Sequence, residues 1–147
     1  MVKKMPSDAR IEIKNGDVKS TGRMEGDISI SDSDSKSSYY FRSNSVNYVN
    51  SRSALQVMGI QGESEKSTII AADLTPGTPS GSYKFGGSEI TSLSYSPPRG
   101  ELLWKVTDGG IIITFDEDGK RAHGALQIIA ERGTQTLEAF VSFDVRN

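Results

Sequence analysis

Apolar and polar residues alternate along most of this chain, most clearly near the C-terminus. From Leu137 to Val145 every odd position is apolar, and the even positions are Glu138, Phe140, Ser142 and Asp144. A period of two sends successive side chains to opposite faces, so this segment reads as a half-buried strand. Phe140 is the exception, an aromatic on the otherwise polar face. The preceding Gly124–Ala130 segment would put Leu126, Ile128 and Ala130 on one face. The short, glycine-containing link Glu131–Gln135 makes the two a hairpin. Upstream, Ile111–Phe115 is β-branched and aromatic and ends in Asp116-Glu117-Asp118-Gly119, a turn with glycine available for positive φ. Residues 110–146 therefore read as a three-stranded meander.

The pattern continues toward the N-terminus. Glu101–Val106 alternates, with Leu102, Trp104 and Val106 expected on one face, and Asp108-Gly109-Gly110 reads as the turn into the next strand. Ile90–Ser96 is closed by Pro97-Pro98, because proline cannot continue a central ladder. Ser82–Phe85, Thr68–Leu74 and Ala54–Ile60 are further strands. Val46–Met58 has partial helical spacing, but its Asn, Ser and Arg content disfavours a helix. Ser38–Ser43 reads as a strand after a solvated serine-rich loop at Ser31–Lys36. Asp27–Ser31 and Arg10–Lys14 alternate, the latter running into the hairpin signal Asn15-Gly16. About eight to ten short strands separated by Gly, Pro, Asn and Asp turns predict an all-β fold, an antiparallel β-sandwich or barrel. At 147 residues the chain is expected to form one domain, with residues 1–8 as a flexible N-terminus.

Composition narrows the chemistry. Lys and Arg number 17 against 19 Asp and Glu, a net charge of −2 with no basic half, so no nucleic-acid groove is indicated. The absence of Cys excludes disulfides, thiolate catalysis and Cys-based zinc sites. No apolar run approaches the roughly 20 residues that span a bilayer. Met1–Asp8 starts basic, but no apolar segment follows, so either a cytoplasmic chain or a secreted one whose leader has been removed is expected.

The last 70 or so residues carry Gly81-Ser82-Tyr83, then Tyr95, then Gly124-Ala125-Leu126-Gln127-Ile128, then Phe143-Asp144-Val145. In that order they resemble bacterial β-sandwich and lipocalin-like domains. The resemblance implies a fold and transfers no catalytic or binding residue.

Few side chains invite catalysis. His123 is the single imidazole; it follows a hairpin turn, and no Gly-x-Ser-x-Gly elbow accompanies it. Asp116 and Asp118 are the candidate metal ligands, with Asp32 and Asp34 a second acidic pair. Such loops suit Ca²⁺, which takes about six to eight oxygens, although ordinary turn chemistry accounts for the same residues. A pair of carboxylates could also hydrolyse glycosides, but no motif selects one. Aromatic rings offer a binding reading, and Tyr39, Tyr40 and Tyr48 are the candidate ligand-binding residues. Tyr39 and Tyr40 are adjacent, so a strand must point one of them outward. Trp104 is expected in the core. The chain thus reads as a non-enzymatic binding or assembly module for a protein partner or for itself. A carbohydrate-binding domain is the first alternative, and a carboxylate-dependent hydrolase in a barrel mouth the second.

Overall fold

The computed structural model describes residues 20–147. The expected strand at Arg10–Lys14, its Asn15-Gly16 turn and the flexible residues 1–8 lie outside the described residues. Ten strands are described: β1 (Thr21–Ser31), β2 (Lys36–Arg42), β3 (Ser45–Asn50), β4 (Leu55–Gln61), β5 (Thr68–Leu74), β6 (Gly81–Lys84), β7 (Ile90–Ser96), β8 (Lys105–Asp116), β9 (Arg121–Arg132) and β10 (Gln135–Arg146). A 3-10 turn, Ser64–Lys66, joins β4 to β5. Among the described residues no helix is long and apolar enough to cross a membrane.

The strands form two antiparallel sheets. The larger has the order β2-β1-β10-β9-β8-β6, and the smaller β3-β4-β5-β7. Neither sheet closes on itself, so the architecture is a β-sandwich and the barrel alternative is set aside. The expected meander is present as β8-β9-β10. Its β9–β10 turn has only two residues, and Gly133 opens it with φ +62°. That is the position where a type II′ hairpin turn needs glycine.

The core lies between the sheets. The odd residues of β10, from Leu137 to Val145, are all buried and face Val57, Ile70 and Leu93 of the smaller sheet within one apolar cluster. Burying every second side chain of each strand is how a chain with 35% hydrophobic residues builds this interior.

Two expectations about residues 101–110 are corrected. Asp108-Gly109-Gly110 is not a turn: β8 runs unbroken from Lys105 to Asp116, with a register shift opposite Ile129 and Ala130. The glycine serves close approach instead. Gly109 has φ +144°, and a Cβ there would lie 2.2 Å from the Gln127 carbonyl oxygen. Leu102 does not share a buried face with Trp104 and Val106. Glu101–Trp104 precedes the strand, and Leu102 is 75% exposed, whereas Trp104 is buried as expected. The guanidinium of Arg132 donates to the Leu102 carbonyl of this loop at 3.1 Å.

Candidate binding surface around Trp104

The aromatic candidates fall in different places. Tyr39 and Tyr40 lie on β2, an outer edge of the larger sheet, and alternate as the strand requires. Tyr40 is on the outer face, donating its hydroxyl to Glu25 at 2.9 Å with the Arg42 guanidinium 5.7 Å from its ring centre. That hydrogen bond raises its pKa above the ordinary tyrosine value. Tyr39 turns inward and its hydroxyl meets that of Tyr95 on β7. Burial, and then the hydrogen bond with Tyr39, hold Tyr95 protonated far above the usual range; burial also raises Tyr39. Tyr48 is corrected to a core residue. It is 2% exposed, and its hydroxyl donates to the Gly119 carbonyl at 2.5 Å, so its ring offers no surface to a ligand.

Tyr39 and Tyr95 belong to a cleft of about 280 Å³ at one end of the sandwich, with Ile30, Trp104, Arg132 and Glu101 as further walls. Arg132 organises it. Its guanidinium lies 4.2 Å from the centre of the Trp104 ring, donates to Gln135 Oε1 at 3.2 Å, and approaches Glu101 to 3.8 Å. A guanidinium stacked on an indole gains from the ring quadrupole while its edge keeps its donors. Tyr95 and Trp104 also line a second groove, about 420 Å³, that follows β7 and is bounded by Phe85, Leu103 and Val106. Leu102 and Leu103, 75% and 78% exposed, sit on the loop just before Trp104. Two grooves thus share one aromatic wall beside a pair of exposed leucines. Sequence reasoning missed the leucines because their alternation with Trp104 imitates a strand.

Elsewhere, Phe140 lies on the outer face of the larger sheet, as its break in the alternation predicts, and is 58% exposed. With Ile112, Ala125, Gly110 and Gln127 it lines a shallow groove of about 210 Å³.

The polar candidates are engaged locally. Asp116 Oδ2 lies 2.9 Å from His123 Nε2 and 3.5 Å from an Arg121 nitrogen, while Asp118 is exposed in the turn. Asp32 accepts from the Ser33 amide and the Thr134 hydroxyl. Among the described residues no group of three or more metal-ligating side chains gathers. Among the described residues, Glu101 is the carboxylate in the lining of the end cleft.

Comparison of the chain with protein-family models, with curated proteins and with solved structures finds no match.

Proposed function

We propose that this chain is a non-enzymatic binding module that docks a protein partner at the corner built around Trp104. The observation that carries the reading is the placement of Leu102 and Leu103, both largely exposed, beside two grooves that share the Tyr95–Trp104 wall. Apolar side chains held out from a framework and rimmed by an arginine and a carboxylate match the anatomy of a protein interface, with an apolar centre and a polar rim. The scarcity of reactive side chains favours binding over catalysis.

Trp104 is the sole tryptophan, so its fluorescence reports on this corner alone. A random peptide library displayed on phage and selected on the full chain is expected to enrich apolar peptides that shift Trp104 emission. Leu103→Ser should weaken those peptides about tenfold or more, the loss of one buried anchor. Peptides that leave the emission unchanged and bind Leu103→Ser as well as the parent chain would sink the reading.

A carbohydrate-binding reading is favoured by one separate observation. Tyr40 presents a half-exposed ring with a carboxylate and a guanidinium alongside, a combination that can stack on a sugar and hydrogen-bond its hydroxyls. Glycan-array binding abolished by Tyr40→Ala would place function there instead.

A further inference from the structure

Among the described residues the two sheets end in four outer strands, β2, β6, β3 and β7, and three of these are defended. An unpaired edge invites another strand, and charges, short length or covering groups normally prevent this. β2 carries Lys36 and Arg42. β6 is four residues long and ends in Lys84. β3 is covered at its centre: the Tyr48 amide donates to Ser20 Oγ, and the Tyr48 carbonyl accepts from Ser20 Oγ and Asn147 Nδ2. β7 differs. Its sequence, Ile90-Thr91-Ser92-Leu93-Ser94-Tyr95-Ser96, contains no charge and no proline. Among the described residues its hydrogen bonds are the ladder with β5 and the Tyr95–Tyr39 hydroxyl contact. The 420 Å³ groove with Leu103 on its rim runs beside it.

We propose that β7 pairs with β7 of a second copy of this chain, antiparallel about a two-fold axis through Ser94, joining two four-stranded sheets into one of eight. The inference rests on the reading of the Trp104 corner as a protein-binding surface and names the partner. The register follows from the strand itself. Its ladder with β5 shifts between Ser92 and Ile90, and Pro97 ends the strand, so the regular stretch is Ser92–Ser96 with Ser94 at its centre. About that axis Ser94 faces Ser94 of the partner subunit, and Ser92 faces the partner's Ser96. Leu93 faces the partner's Tyr95. Small hydroxyls therefore meet on the outer face, and aliphatic meets aromatic on the inner, both favourable cross-strand pairs. A two-fold contact sets each residue type against its own surface, so a charged edge would repel itself and this uncharged one does not. The groove walls Phe85 and Leu103 flank the seam, so pairing would also remove exposed leucine from water.

Sedimentation velocity on the full chain, from about 1 to 100 µM to cover micromolar affinity, is expected to show the mass doubling with concentration. Ser94→Lys should remain monomeric, because like charges directly opposite destabilise the pair. An equimolar mixture of Ser94→Lys with Ser94→Glu should restore the dimer, which happens only if position 94 faces itself. Circular dichroism and thermal melting check that each variant is folded. A wild-type monomer at every concentration overturns the inference. So does a mass beyond the dimer, a dimer unaffected by Ser94→Lys, or a mixture that stays monomeric. If the dimer survives Ser94→Lys but dissociates on combined Leu102→Ser and Leu103→Ser, strand pairing fails while the Trp104 corner stands as a binding surface. A wild-type monomer whose Trp104 emission still responds to selected peptides leads to the same division.

Discussion

Asp144 illustrates how one side chain couples this fold to pH. Arg121 donates to both of its carboxylate oxygens, at 2.9 and 2.8 Å, and this hydrogen bonding holds the Asp144 carboxyl below the usual aspartate range. A native carboxyl with a lowered pKa gives up its proton sooner than the unfolded one, so acid favours the unfolded state. The stabilisation is complete above the ordinary value of about 3.9 and is lost as pH falls through the lower native value. Both side chains are partly solvated, so water screens the pair and the effect on stability is small. Asp144→Asn should lower the urea midpoint at neutral pH and flatten its decline below about pH 4. A midpoint that falls as steeply in the variant as in the parent would remove this account.

At the scale of the element, β10 carries two phenylalanines on opposite faces. Phe143 is buried against the smaller sheet, whereas Phe140 lies in water on the outer face. Phe143→Ala should cost about 3–5 kcal/mol, the transfer and cavity cost of an emptied core site. Phe140→Ala should stay within about 0.5 kcal/mol, as surface substitutions do. Urea unfolding of the two variants measures both, and comparable losses would mean that the faces of β10 are misassigned. The strand periods that make this contrast were legible from residue order alone. The path of β8 was not: Asp108-Gly109-Gly110 has the composition of a turn, and only its packing against β9 makes it a close-approach segment within one strand. Glu101–Trp104 shows the reverse error. It alternates like a strand, but it is a loop, bonded to Arg132 through the Leu102 carbonyl, that presents Leu102 and Leu103.

For the molecule as a whole, the pairing of β1 with β10 is decisive. Thr21 sits opposite Arg146, so two neighbouring interior strands of the larger sheet come from opposite ends of the described chain. The entropy of closing so long a loop must be met before these contacts form. Refolding from urea should therefore take milliseconds to seconds, the range of sandwiches dominated by non-local pairs, and not microseconds. Stopped-flow Trp104 fluorescence reads this directly, and completion within the mixing time would contradict it. The same non-local closure assembles the Trp104 corner, since Tyr39, Tyr95, Trp104 and Arg132 come from β2, β7, a loop and β9.

Residue order alone dictates that this protein is made of strands and, within each true strand, which side chains share a face, because the two-residue period is a property of the local backbone. It also marked Phe140 as an outward aromatic and showed that one of Tyr39 and Tyr40 must turn outward. It took the three-dimensional fold to settle that Tyr48 is core, that Tyr39 meets Tyr95, that two sheets form a sandwich, and that β7 has no second neighbour among the described residues. Those outcomes depend on which distant strand each segment pairs with, and a ladder of backbone amides pairs with almost any partner. The choice is made by the summed packing of both faces across the whole core, a quantity no single stretch of residues contains.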